Sequence, residues 1–170
     1  MVYAHLQVKF SAQEEYGLRC LLQIARAPET FSTVPDLAKR EGLTTAYVAK
    51  LLRVLLKAGF LESVRGQKGG YRLAREASRM QIAEILEALG GRLYSDEFCR
   101  RYAGEKRTCV HDADCSIRSL WTFLDRSLQR ALAKTTLANL VCSEREMTTW
   151  THKNLDGAEE PGRSALPVSR

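Results

Sequence analysis

Cys99, Cys109 and Cys115 are three of the five cysteines in a chain of 170 residues, and all three fall in one polar stretch, CRRYAGEKRTCVHDADC. Thiolates are soft donors, and a loop can wrap several of them round one metal centre where a rigid helix would hold the sulfurs apart. His111, between the second and third cysteine, is the nearest nitrogen donor in the sequence. Three thiolates with one nitrogen or oxygen would also satisfy a structural zinc ion, and low-lying thiols can sense oxidants without a metal. Cys20 lies on a leucine-rich face and reads as a small core residue; Cys142 has no partner in the sequence. The three histidines, His5, His111 and His152, form no triad with a nucleophile, and no cofactor fingerprint is present, so enzyme chemistry is not expected.

The clustered, odd-numbered thiols favour metal or redox chemistry over a disulfide framework. No apolar run approaches the roughly 20 residues of a membrane span, and the start lacks the charged-then-apolar order of a secretory signal. The chain is therefore expected in the cytoplasm, with no membrane partner.

The basic residues are unevenly spread. Between Lys39 and Arg75 stand nine basic and two acidic residues, an excess larger than the net +6 of the whole chain, whose isoelectric point is near 9.2. Such a segment suits a polyanion. Hydrophobic periodicity places a helix from about Ala12 to Arg26, ended by Pro28. A short second helix follows the capping pair Thr33 and Asp36 and stops at Gly42. A third helix runs from Thr44 to Ala58, with Val48, Leu51, Leu52 and Leu55 buried and Gly59 as its stop. Helices joined this way form a helix-turn-helix. On the third helix Thr44, Thr45, Tyr47, Lys50, Arg53 and Lys57 lie off the apolar stripe, with hydroxyls for phosphate and cations for phosphate or guanine. Two short β runs, Phe60 to Val64 and Tyr71 to Leu73, flank Arg65, Gln67, Lys68 and three glycines, and Arg72 follows. This reads as a hairpin wing with a basic tip; no phosphate-loop pattern competes with it.

Ser78 to Leu89 reads as a further helix ended by Gly90 and Gly91, and Ser116 to Val141 as one long helix without Gly or Pro. A helix of that length, roughly 39 Å, overhangs so small a domain and calls for a symmetry mate. The fold class is thus mainly α with a small β-hairpin wing: a winged helix-turn-helix plus a long C-terminal dimerisation helix. The expected division is residues 1–90 for DNA binding, 91–115 for the cysteine loop, 116–142 for the dimerisation helix and 143–170 for a disordered tail.

KFSAQEEYGLRCLLQIA, LAKREGLTTAYVAKLLRVLLKAGFLESVRGQKGGYRLA and CSIRSLWTFLDRSLQRALAKTTLANL together resemble the winged-helix iron-sulfur regulators related to IscR, NsrR and RsrR. The resemblance implies a homodimer crossed by the long helix 116–141, binding to a double-stranded DNA operator, and a cluster near the dimer interface that tunes operator affinity in response to redox, nitric oxide or iron-sulfur status. It places Cys99, Cys109 and Cys115 in the family's three-cysteine loop. Where IscR-like members carry a ligand histidine, three residues after the last cysteine, this chain has Arg118, which has no lone pair to offer. Glu15 matches the position from which NsrR-like and RsrR-like members supply a carboxylate from the partner subunit. The wide interval after Cys99 and Glu15 together point to a 2Fe-2S cluster, with 4Fe-4S as the alternative. Glu41, near a histidine ligand of RsrR, is expected instead in a surface ion pair beside Arg40.

Overall fold

The computed structural model describes residues 10–66, 69–92, 94–105 and 108–155. Helix α1 (Ala12–Ala25) starts at a capping box: the Ser11 hydroxyl accepts from the Glu14 amide, and the Glu14 carboxylate accepts from the Ser11 amide at 2.7 Å. Cys20, Leu21 and Ile24 of α1 are buried. Gly17 has no room for a side chain because Leu89 lies against it; a Cβ there would sit 2.5 Å from a Leu89 methyl. Helix α2 (Val34–Glu41) is capped by Thr33, whose hydroxyl accepts from the Asp36 amide and donates to the Asp36 carboxylate at 2.6 Å. Gly42 ends α2 at φ 66°, in the left-handed region open to glycine. Helix α3 (Thr45–Lys57) buries Val48, Leu51, Leu52 and Leu55 completely.

Strands β1 (Leu61–Val64) and β2 (Gly70–Leu73) pair antiparallel, with Leu61 opposite Leu73 and Val64 opposite Gly70. Ser32, just before α2, exchanges two 2.9 Å backbone hydrogen bonds with Tyr71, so the hairpin is fastened to the helix-turn-helix. Helix α4 (Ile82–Gly90) packs on α1 and α3. It is followed by α5 (Asp96–Arg101), α6 (Ser116–Ala133), α7 (Leu137–Leu140) and α8 (Glu144–Asn154). The core joins Leu21, Ile24, Leu37, Leu51, Met80, Ile85 and Leu137.

Two expected helices are interrupted, and one contact interrupts both. The helix expected from Ser78 is a 3-10 turn (Ala77–Arg79) followed by extended Met80 and Gln81 before α4. The helix expected to run unbroken to Val141 stops at Ala133, an 18-residue element of roughly 27 Å rather than 39 Å. Gln81 and Thr136 form an isolated antiparallel bridge: the Ile82 amide donates to Thr135 O at 2.9 Å and the Leu137 amide donates to Met80 O at 2.8 Å. Thr136 then restarts the chain as α7 through its own capping box with Asn139.

The tail expected from residue 143 carries a helix. Ser143 and Glu146 form a capping box at the start of α8, and Met147 and Leu155 line an apolar cavity with Leu18, Ile82 and Leu132. Met147 and Leu155 are half-buried there, and no residue of α8 is fully buried.

Candidate nucleic-acid interface and thiol site

The amphipathic pattern of α3 turns Val48, Leu51, Leu52 and Leu55 inward, which leaves Thr45, Lys50, Arg53 and Lys57 exposed on the opposite side. Lys50, Arg53, Lys57 and the exposed Arg65 at the hairpin tip make no ion pair within the described residues. Thr44 is the N-cap of α3, its hydroxyl 3.3 Å from the Tyr47 amide. Tyr47 is half-buried, its ring edge-on to Tyr16 at 6.1 Å. Arg72 is committed within the hairpin: it pairs with Glu62 across the strands and lies over the Phe31 ring at 5.3 Å. Gln67 and Lys68 lie outside the described residues. Gly69 closes the turn by donating its amide to Gly66 O at 3.0 Å, and a Cβ on it would fall 2.0 Å from Val64 O.

The thiols sit at the other end of the chain. Cys99 is on α5 rather than in a loop, and its Sγ lies 3.0 Å from the Tyr94 hydroxyl. Cys99 and Cys109 line one cavity of about 330 Å³ together with Tyr94, Arg100, Thr108 and Arg118. Cys115 is the N-cap of α6, where its Sγ faces the Arg118 amide at 3.4 Å. The Arg118 guanidinium donates to Asp112 O at 2.6 Å and to His111 O at 3.4 Å. The arginine at the position of the missing histidine ligand thus ties down the segment between the last two cysteines. All five cysteines are free thiols.

Among the described residues, no three His, Cys, Asp or Glu side chains converge as a metal site. Glu15 is exposed on α1, at the rim of the apolar cavity that α8 helps to close, and the Cys99–Cys109 cavity does not include it. The donor set fits a thiolate-ligated iron centre in chemistry, since its sulfurs are soft and reduced. In geometry one chain offers Cys99 and Cys109 together, with Cys115 adjacent through Arg118. Glu41 makes the expected ion pair, with Arg19 at 2.6 Å, and accepts from Gln23 at 2.7 Å, but it is buried rather than at the surface. Burial pushes the Cys20 thiol up to about 11, assisted by the Glu41 charge and opposed by that of Arg19.

Sequence reasoning missed three residues beside the thiols. Asp125 of α6 is buried and pairs with Arg92 at 2.5 Å, and its other oxygen is 3.4 Å from the Tyr94 amide. A lone aspartate on the apolar side of α6, four residues after Trp121, was the available signal.

A helix-turn-helix followed at once by a strand hairpin, with free cations on its second helix, defines a winged-helix DNA-binding protein. Residues 10–143 match the Rrf2 family, described as iron-dependent transcriptional regulators, and the chain belongs to that family. It is 33% identical over 138 residues to protein rrf2 of Nitratidesulfovibrio vulgaris, spanning 79% of this chain and 87% of that protein. It is 29% identical over 136 residues to IscR of Klebsiella pneumoniae, spanning 79% and 80%. Among solved structures, T. potens IscR is similar at 30% identity and TM-score 0.62, covering 79% of this chain and 86% of that one. CymR, the global cysteine regulator of B. subtilis, is similar at 25% identity and TM-score 0.64, covering 79% and 97%. The relatives are transcriptional regulators, not enzymes. No helix among the described residues is long and apolar enough to cross a membrane.

Proposed function

We propose that this Rrf2-family regulator binds operator DNA as a homodimer through α3 and the wing, and that an iron-sulfur cluster held by Cys99, Cys109 and Cys115 modulates its operator affinity. The observation that carries the DNA map is the row of uncompensated cations on the exposed side of α3, with Arg65 beside it on the hairpin. Lys50 and Arg53 reach the major groove; Thr44, Thr45, Tyr47 and Lys57 hold phosphates near the two ends of the helix; Arg65, Gln67 and Lys68 meet the neighbouring backbone. Arg72 stiffens the wing through Glu62. The test is a duplex selected from a random-sequence pool by the wild-type protein. Lys50→Ala or Arg53→Ala should weaken binding by about tenfold or more, and Arg65→Ala should lower the salt slope by about one. Unchanged affinity and slope in all three variants would refute the map.

For the sensor, the shared cavity of Cys99 and Cys109 supports the reading. A bound cluster supplies a one-electron change of charge next to α6. We take it as 2Fe-2S, completed by Glu15 from the partner subunit. After anaerobic iron and sulfide addition, Cys109→Ala and Cys115→Ala should lack the visible absorption that Cys20→Ala and Cys142→Ala retain. Its retention in Cys99→Ala removes Cys99 from the ligand set, and an unchanged spectrum and lifetime in Glu15→Ala removes Glu15. A second reading, metal-free regulation by thiol oxidation, is favoured by the lack of three converging donors among the described residues. Wild-type protein that takes up no iron, yet binds its duplex differently after oxidation, would establish it.

A further inference from the structure

Tyr94 touches both ends of a gap between the thiols and the DNA-binding half. Its hydroxyl lies 3.0 Å from Cys99 Sγ. Its amide lies 3.4 Å from Asp125 Oδ1, and Asp125 Oδ2 accepts from Arg92 at 2.5 Å. Arg92 follows the C-cap of α4, the helix that packs on α1 and α3. Asp125 is buried on α6, so without these partners its carboxylate would be left buried and unsatisfied, whereas Arg92 reaches solvent. The Tyr94 ring is held as well, tilted against Phe98 at 5.5 Å, and Phe98 in turn meets Trp121 of α6 at 6.5 Å.

A phenol fixed at its ring and at its backbone presents its hydroxyl to Cys99 in one direction. Hydrogen bonds to a sulfur withdraw electron density from it, and in thiolate-ligated iron centres they raise the reduction potential. We propose that Tyr94 is a positioning residue for Cys99: it sets the orientation and electron density of the Cys99 sulfur, and it links that sulfur to the Asp125–Arg92 pair at the junction of α4 and α6. A change of charge at Cys99 is then felt first as a change in the Tyr94 hydrogen bond and next at the end of α4, one helix away from the recognition helix. The part that concerns a cluster rests on the iron-sulfur reading above; the contact with Cys99 does not.

Tyr94→Phe deletes the hydroxyl and keeps the ring contacts, so the full-length variant should fold with wild-type thermal stability. In the reduced, metal-free protein, alkylation by iodoacetamide followed residue by residue by mass spectrometry should change several-fold at Cys99 and stay the same at Cys109 and Cys142. In iron- and sulfide-loaded protein the midpoint potential should move to more negative values. The ratio of duplex affinities between loaded and metal-free protein should fall towards one, with metal-free affinity unchanged. Wild-type alkylation at Cys99 together with a wild-type affinity ratio would overturn the proposal. If wild-type protein takes up no cluster, the iron-sulfur reading fails alone, and the alkylation rate of Cys99 still decides the role of Tyr94.

Discussion

Cys20 and Cys99 show how the same side chain takes opposite roles from its surroundings. Cys20 is 0% exposed among the leucines of α1 and α3, and burial holds its thiol at about 11 against an ordinary value of 9.0. Below pH 9 both folded and unfolded chains keep that proton, so it contributes no pH dependence. Between pH 9 and 11 the unfolded chain releases the proton while the folded chain retains it, and stability falls by about 1.4 kcal/mol per pH unit. Cys20→Ala lacks this slope but loses buried sulfur contacts. The stability gap between wild type and Cys20→Ala, measured by urea unfolding, should therefore narrow as pH rises from 9 to 11. A constant gap would mean that Cys20 is not shielded as the structure has it. Cys99, by contrast, is half-exposed and already hydrogen-bonded to a phenol, which is a place for chemistry rather than packing.

At the scale of elements, the wing is the part whose shape depends most on one backbone position. Gly69 brings the returning strand so near Val64 O that Gly69→Ala forces the turn to open. This variant should lose duplex affinity about as much as removal of a wing cation, roughly tenfold, while its helical circular dichroism stays that of wild type. Equal affinity would show that the wing stays clear of DNA. The first three helices were legible in the sequence because local signals decide them: the Thr33 cap, leucines at helical spacing, and Gly42 as a stop. The breaks near residues 80 and 134 were not legible, since no Gly or Pro marks them and their cause is a bridge between segments 55 residues apart in the chain. The clustering of the cysteines was legible along the chain; that Cys99 stands on α5 and Cys115 caps α6 was not. Tyr94, Arg92 and Asp125 were not, because each acquires its meaning from partners 5 to 33 residues away that local pattern does not reveal.

For the whole molecule, α6 carries an apolar side that the described residues leave largely open to solvent. Ile117 is 59% exposed, Leu120 52% and Phe123 54%, and Trp121 and Leu124 are also open to solvent. A stripe of this size calls for a covering surface, which the proposed homodimer supplies. Leu120→Glu would place a charge in that interface. The variant should sediment as a monomer, keep its circular dichroism, and bind the selected duplex at least tenfold more weakly, because half-sites are then engaged one at a time. A monomeric wild type, or an unaltered dimer in Leu120→Glu, would leave the α6 stripe without the role assigned to it.

The bridge between Gln81 and Thr136 bears on how the molecule opens. The amides of Ile82 and Leu137 are both spent on it, and Leu137 is itself fully buried in the core. In deuterium exchange such amides should be released only with the slowest protons of α3, because freeing them requires the core round Met80 and Leu137 to part. The C-terminal end of α6 then belongs to the same cooperative unit as the recognition helix, whereas its start, near Cys115, is free to open earlier. The helix is thus anchored at its C-terminal end, and amide protection should fall along it towards Cys115.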